Sequence, residues 1–261
     1  KLVQAPYLGM EHQSAVAYGN KFEDGYMGTD LSGTGWGLKW DFIIIHESAH
    51  EWWGNSITTK DVADMWVHEG FANYAEALYT ECLDGREAGA EYVRGVRHRI
   101  LNDRPVIGEY GVNYEGSGDM YYKGGNVVQM IRQNMNDDSA FRALLHGLQK
   151  NFFHQTVTSQ QIEDYIIAQS GIDLDDLFDQ YLRETNVPVL KYYIKKNRLH
   201  FKWTNVFPHF DMPVKVRLTE DDWSLIKPVS DHWKAVKIDL ESPEHFEVNK
   251  NYYIRTKRVE K

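Results

Sequence analysis

The sequence predicts an α+β chain of two domains, a mainly helical domain over residues 1–187 and a small β-sandwich over residues 188–261. Two observations predict this division. Apolar residues recur at helical spacing as far as residue 182, whereas beyond Pro188 they alternate with polar residues. A chain of 261 residues is also long enough for one large domain or two modest ones.

Composition and charge exclude several classes of protein. Hydrophobic residues make up 42% and charged residues 26% of the chain, which are ordinary values for a folded globular protein. The formal net charge is −9 and no dense Lys/Arg run occurs, so we expect no nucleic-acid partner. The longest apolar runs, such as residues 42–45, are far shorter than the roughly 18 residues of a membrane span. We therefore expect a soluble chain without a membrane span, with the choice between cytoplasm and periplasm open.

The N-terminal part is predicted to be irregular. The chain starts with Lys-Leu-Val-Gln-Ala-Pro, which has neither an initiator Met nor a signal-peptide profile, so we expect a fragment of a longer protein. Residues 1–40 contain extended pieces followed by a glycine-rich loop. That loop lacks the spacing and the Gly-Lys-Ser/Thr of a phosphate-binding loop.

Helices are predicted to follow. The run over residues 40–53 contains no Gly or Pro and stops at Gly54, as a helix with a glycine C-terminal stop does. A second helix is predicted over residues 66–83. Thr158 and Gln161 have the spacing of a capping box at the start of a later helix.

The spacing of apolar residues changes to two beyond Pro188. Leu199, Phe201 and Trp203 alternate with polar residues, and two similar runs follow over residues 214–218 and 236–240. Turns rich in Pro, Asp and Ser separate these runs. The pattern predicts a small β-sandwich.

The segment His-Glu-Ser-Ala-His at residues 46–50 lies inside the first predicted helix. His46 and His50 are one turn apart on the same face, so both imidazoles can reach one metal ion. Glu47 flanks that face and can accept a proton from a metal-bound water without binding the ion. The alternative interpretation is a purely structural pair of histidines.

A third metal ligand is available on the second predicted helix. Glu69 follows His50 after 18 intervening residues, and a turn between two antiparallel helices can bring its carboxylate under the two histidines. Two histidines, one carboxylate and an open position for water form a known ligand set for catalytic zinc. Glu76, seven residues further on, either orients one histidine or is a solvated surface residue.

These residues carry a resemblance to a known family. HESAHEWWGN followed by WVHEGFANYAE resembles the zinc signature of the M1 family of gluzincin metallopeptidases, which includes aminopeptidase N and leukotriene A4 hydrolase. Residues 8–12 resemble the family's Gly-x-Met-Glu-Asn exopeptidase motif, and residues 121–124 resemble its Tyr-x-Lys-Gly segment. The order of these motifs, and of the helical and β regions, also fits the family.

The resemblance implies a thermolysin-like, mainly helical zinc metallopeptidase domain with truncated N-terminal strands, followed by the β-sandwich. It implies that His46, His50 and Glu69 bind one Zn²⁺ per chain and that Glu47 is the general base. The implied function is that of a zinc-dependent aminopeptidase. The implied partners are peptides with a free N-terminus and the family's N-terminal domain, which this chain lacks.

The resemblance also implies contacts with the substrate. Gly9, Met10 and Glu11 are expected to bind the substrate, with Glu11 holding its free α-amino group, and Tyr121 is expected to donate a hydrogen bond to the oxyanion. The motif around Glu11 departs from the family at its first and last positions, which we expect to affect side-chain preference and not zinc binding. Two alternatives stay open: a non-catalytic peptide-binding scaffold, and an epoxide hydrolase of the same family.

Overall fold

The computed structural model describes residues 1–260 and mixes helices with sheets, so the predicted α+β class is confirmed. Lys261, the last residue of the predicted second domain, lies outside the described residues. The α-helices are α1 (Phe42–Ala49), α2 (Trp66–Asp84), α3 (Arg86–Gly95), α4 (Tyr122–Met135), α5 (Asp138–Asn151), α6 (Ser159–Ser170) and α7 (Asp175–Phe178). The strands are β1 (Leu2–Gln4), β2 (Gly9–Met10), β3 (Val16–Tyr18), β4 (Ile57–Thr59), β5 (Gln155–Val157), β6 (Val189–Lys195), β7 (Arg198–Thr204), β8 (Val214–Arg217), β9 (Trp223–Ile226), β10 (Lys234–Lys237) and β11 (Arg255–Arg258).

Helix α2 is the centre of the helical part. It packs against α1, α3 and α4, and its residues Trp66, Phe71 and Tyr74 are buried. The indole N–H of Trp66 donates to the Ser159 hydroxyl at 2.7 Å, which joins α2 to the start of α6. Among residues 1–260, none of the helices has the length and apolar character needed to cross a membrane.

Helix α1 is shorter than the predicted span of residues 40–53. Its N-terminus is fixed by Asp41, whose side chain accepts a hydrogen bond from the backbone N–H of Ile44 at 3.2 Å. The Asp41 carboxylate also accepts a hydrogen bond from the Tyr18 hydroxyl, which connects the start of α1 to β3. After α1 the backbone makes tight turns. Gly54 has a φ of 126°, a value that residues other than glycine rarely adopt.

The first three strands form one small sheet beside α1. Strand β3 is central, with β1 parallel to it and β2 antiparallel to it. Strand β2 is therefore an edge strand, and it lies against α1. The capping box predicted for α6 is confirmed, because Thr158 and Gln161 exchange both of its hydrogen bonds.

The region beyond Pro188 is built of strands and turns. Strands β10, β7, β6 and β11 form one mixed sheet in that order, and β8 and β9 form a separate hairpin. The predicted alternation is confirmed on β7, where Leu199, Phe201 and Trp203 are buried. The indole N–H of Trp203 donates to the carbonyl of Met212 at 3.0 Å, which holds the segment before the hairpin against the sheet.

Beyond the four-stranded sheet, the described residues after Pro188 form the β8–β9 hairpin and two isolated bridges, Val216 with Val248 and Thr219 with Asp239. The strands of the predicted β-sandwich are thus divided between a sheet of four and a hairpin of two.

Candidate metal centre and active site

Three side chains converge where the end of α1 faces the start of α2. His46 Nε2 and His50 Nε2 are 3.2 Å apart, and Glu69 Oε2 lies 3.3 Å from the first and 3.4 Å from the second. All three residues are buried. Zinc bonds of tetrahedral geometry place neighbouring ligand atoms about 3.3–3.4 Å apart. The three atoms therefore have the spacing of three ligands of one zinc ion.

Hydrogen bonds on the far side of each ring decide which nitrogen faces this centre. His50 Nδ1 lies 2.8 Å from the carbonyl oxygen of Trp53, which only accepts, so Nδ1 carries the proton. His46 Nδ1 lies 2.8 Å from Glu76 Oε1 and donates to it in the same way. Both Nε2 lone pairs then face Glu69 Oε2, a buried atom without a hydrogen-bond partner in the described part of the chain. Three acceptors that face one another in this way fit a bound cation.

The pKa values around the centre also favour positive charge. Burial lowers the pKa of His46, but the carboxylates of Glu69 and Glu76 outweigh burial and raise it to about 10. Burial lowers the pKa of His50 as well, but the nearby Glu69 carboxylate outweighs burial and raises it. Burial raises the pKa of Glu69, yet the two histidines lower it to about 2. The centre therefore stabilises either protons on the imidazoles or a metal ion that replaces them.

Glu76 is fully buried, so the interpretation of this residue as a solvated surface group is wrong. One of its oxygens accepts a hydrogen bond from His46 Nδ1. The other accepts hydrogen bonds from the Tyr92 hydroxyl at 2.6 Å and from the Asn73 amide at 3.1 Å. These bonds hold the carboxylate in one orientation. Glu76 in turn fixes the His46 ring with Nε2 towards the centre.

Glu47 and Glu11 lie together at the His50 side of the centre. An oxygen of each carboxylate and a ring nitrogen of His50 all lie within 4.8 Å of one another. Glu47 is buried, and burial raises the pKa of its carboxyl although His46 and His50 lower it. The side-chain amide of Asn55 donates to the backbone carbonyl of Glu11 at 2.7 Å. The turn after α1 therefore holds the segment that carries Glu11.

Strand β2 passes directly over Glu47. A Cβ added at Gly9 would lie 2.8 Å from Glu47 Oε1 and 2.7 Å from Ile43 Cγ2, so a side chain at this position would displace one of them. Met10 is 43% exposed, and its side chain does not line the cavity described below. His12, at the last position of this motif, lies 3.2 Å from the Tyr7 hydroxyl and away from the centre.

Tyr121 reaches the centre because α2 and α4 cross with their backbones in contact. A Cβ added at Gly124 would lie 2.8 Å from the Cα of Gly70, and one added at Gly70 would lie 3.0 Å from the Cα of Gly124. The crossing places Tyr121, just before α4, beside Glu69, the residue before Gly70. Burial and the Glu69 carboxylate raise the pKa of the Tyr121 phenol well above its ordinary value, so the hydroxyl keeps its proton.

We expect Gly124→Ala to lower the free energy of unfolding by about 1–3 kcal/mol, because the added methyl group forces two packed helices apart. Gly118→Ala is the matched control, since an added Cβ there meets no atom within 4 Å. Chemical denaturation of both variants measures the difference. Equal stabilities of the two variants would contradict the close crossing.

A cavity of about 460 Å³ opens beside the centre. His46, Glu47 and Tyr121 form one side of it, and Gly9 of the edge strand β2 forms another. A catalytic zinc site keeps a fourth position free for water or substrate, and an open volume next to the three converging atoms fits that requirement.

His68, although it is adjacent to Glu69, takes no part in the centre. Its Nε2 accepts a hydrogen bond from the backbone N–H of Thr59 at 2.9 Å. Burial lowers its pKa to about 4, so the ring is neutral. His68 therefore anchors β4 to α2.

The sequence analysis missed three residues that support the site. Asn55 and Gly70 both lie within the motif segments quoted above. The signal for Asn55 was its position as a polar residue just after a helix stop, and the signal for Gly70 was a glycine inside a helix. Tyr92, which bonds Glu76, lies in an ordinary helical stretch of α3 and carries no local signal. Its role depends on how α3 packs against α2.

The chain is similar to several known proteins. The sequence profile of the peptidase family M1 domain matches residues 7–181. Aminopeptidase N of Lactococcus lactis subsp. lactis is 25% identical over 162 residues, which cover 57% of this chain and 19% of that protein. Aminopeptidase M1 of Arabidopsis thaliana is 25% identical over 171 residues, which cover 61% of this chain and 19% of that protein. The chain thus spans about a fifth of the length of these curated relatives.

The fold is similar to that of a solved structure. The crystal structure of the M1 zinc metallopeptidase from Deinococcus radiodurans superposes with a TM-score of 0.56 at 22% sequence identity. The likeness covers 71% of this chain and 39% of that chain. At this level of identity the comparison concerns the fold.

Proposed function

The chain belongs to peptidase family M1, and we propose on that basis that it carries the zinc-dependent catalytic centre of an aminopeptidase. The observation that carries the proposal is the buried triangle of His46 Nε2, His50 Nε2 and Glu69 Oε2, with Glu47 beside it. In this proposal residues 1–187 form the thermolysin-like catalytic domain and residues 188–261 a β-structured domain that follows it.

The relatives support the proposed reaction class. The curated relatives named above are aminopeptidases, and a variant of the Deinococcus radiodurans metallopeptidase has been crystallised with a Tyr-Ser-Ala substrate. A peptide with a free N-terminus is accordingly the substrate class that we propose for this chain.

In the proposed reaction His46, His50 and Glu69 hold one zinc ion, which when bound makes a water acidic and polarises the scissile carbonyl. Glu47 accepts the proton of the attacking water and then gives it to the leaving amine. Burial raises the pKa of Glu47, which suits a group that must both accept and donate a proton near neutral pH. Glu76 keeps the His46 ring in place throughout.

Two further side chains bind charged groups of the substrate during the proposed reaction. Glu11, whose carboxylate lies close to Glu47, binds the ammonium group of the N-terminal residue and so sets that residue's carbonyl at the centre. The phenol of Tyr121 stays protonated and donates a hydrogen bond to the oxygen that becomes negative as water attacks.

The role of Glu11 predicts that acetylation of the substrate's N-terminus stops cleavage. We expect Ala-Ala-amide to be hydrolysed and N-acetyl-Ala-Ala-amide to lose about 10² or more in kcat/KM, because the Glu11 carboxylate then loses its charged partner. Chromatography that follows the release of alanine amide over time measures both rates. Equal rates for the two peptides would contradict the role of Glu11, whereas binding of both without cleavage would indicate a peptide-binding scaffold.

A further inference from the structure

The cavity beside the metal centre and the carboxylate of Glu11 both border Glu47. Glu11 approaches Glu47 and His50, whereas the cavity is lined by His46 and Glu47 and by neither Glu11 nor His50. In the proposed function Glu11 binds the ammonium group and the first carbonyl lies at the centre, and on that basis the cavity is the space for the second residue of the peptide.

Among the described residues that line this cavity, Arg99 is the one arginine or lysine. It ends a short 3₁₀ turn after α3, and its Nε donates to the carbonyl of Leu31 at 2.9 Å. The guanidinium carbon lies 5.9 Å from the centre of the Tyr122 ring, which forms another part of the cavity lining. These two contacts hold the guanidinium in place at the cavity.

The charge of Arg99 is not neutralised by a carboxylate of the described chain. Within residues 1–260 no carboxylate oxygen lies within the 4.0 Å of an ion pair with it. The cavity contains two acidic residues, Glu47 and Glu76, but Glu47 faces the centre and Glu76 is bonded to His46. Arg99 thus supplies a fixed positive charge to a half-enclosed space that a substrate enters.

We propose that Arg99 binds a carboxylate of the substrate's second residue, so that the chain prefers peptides that carry a carboxylate at that position. The carboxylate is either an acidic side chain or the free C-terminus of a dipeptide, since both present the same planar group to a guanidinium. This proposal rests on the proposed function, because Glu11 sets the direction of the bound peptide.

Four peptides with the same first residue test the preference and separate its two sources. Ala-Ala against Ala-Ala-amide tests the free C-terminus, and Ala-Asp-amide against Ala-Asn-amide tests the acidic side chain. We expect at least one carboxylate peptide to exceed its neutral partner about tenfold or more in kcat/KM. Equal rates within both pairs would overturn the proposal.

Variants assign the preference to Arg99. We expect Arg99→Gln to abolish the difference within the preferred pair, and Arg99→Lys to restore part of it. Arg142→Gln is the matched control, because this arginine lies on α5 outside the cavity with 70% of its side chain exposed. A preference that persists in Arg99→Gln would overturn the assignment, with circular dichroism showing that each variant is folded.

Binding without turnover separates this proposal from the proposed function. In a Glu47→Gln background, isothermal titration calorimetry of Ala-Asp-amide and Ala-Asn-amide, and of Ala-Ala and Ala-Ala-amide, gives Kd ratios that need no catalysis. A carboxylate preference of about tenfold or more that is lost in Glu47→Gln/Arg99→Gln supports the site even if no peptide is cleaved. Equal Kd values within both pairs would overturn it even if the amides are cleaved.

Discussion

Glu47→Gln is expected to remove peptide cleavage and to leave the zinc site intact. Glu47 lies beside the three converging ligand atoms without being one of them, and the amide of Gln has nearly the same shape but cannot accept the water's proton. General-base catalysis contributes about 10²–10⁴ in rate, so kcat should fall by about that factor. Steady-state kinetics on an aminoacyl amide and metal analysis of the same preparation measure the two parts of the prediction.

The matched control for this variant is Glu87→Gln, which makes the same chemical change on a side chain that is 73% exposed on α3. Its kcat should equal that of the unmodified chain. A Glu47→Gln variant that keeps full turnover, or one that loses both turnover and zinc, would contradict the assignment of Glu47 as a general base outside the ligand set.

The second large effect is expected from His50→Ala, which removes one of the three ligand atoms. We expect bound zinc to fall to a small fraction of that in the unmodified chain. Zinc at about 100 times its Kd adds about 2.7 kcal/mol to the free energy of unfolding, which raises the thermal midpoint of a chain of this size by about 5–10 °C. His50→Ala should lose that rise, and His98→Ala, which changes an exposed histidine, should keep it.

The pH dependence of zinc binding follows from the same residues. In the metal-free chain the pKa of His46 is raised to about 10, so this ring carries a proton at neutral pH that zinc must displace. Zinc affinity should therefore increase as pH rises towards 10 and fall by about tenfold for each unit of decreasing pH per displaced proton. Titration of the unmodified chain against a competing chelator between pH 6 and 8 measures this slope, and a flat profile would contradict it.

The ligand set could be predicted because local geometry determines most of it. His46 and His50 share a helix face independently of how the rest of the chain folds, and Glu69 lies on the next predicted helix. The position of Tyr121 could not be derived in this way, since it depends on the contact between Gly70 and Gly124, two residues far apart in the sequence. Only the family resemblance pointed to Tyr121 before the helix packing was known.

The same distinction applies to the rest of the fold. The alternation on β7 predicted a buried sheet face, and that face is present. The division of the other strands between that sheet and the β8–β9 hairpin depends on which segments pair, and alternation carries no information about this. The role proposed for Arg99 also had no local signal in the sequence. It depends on the cavity that Arg99 lines and on the lack of an ion pair between Arg99 and any carboxylate of the described residues.

The zinc content of the purified chain tests the central claim most directly. After incubation with zinc and removal of the free ion by desalting, elemental analysis should give about one zinc per chain, and less than about a tenth of that for His50→Ala. The ion should be released by a chelator and regained on adding zinc. A folded chain that retains no zinc under these conditions, or one that retains as much in His50→Ala as in the unmodified protein, would contradict the assignment of His46, His50 and Glu69.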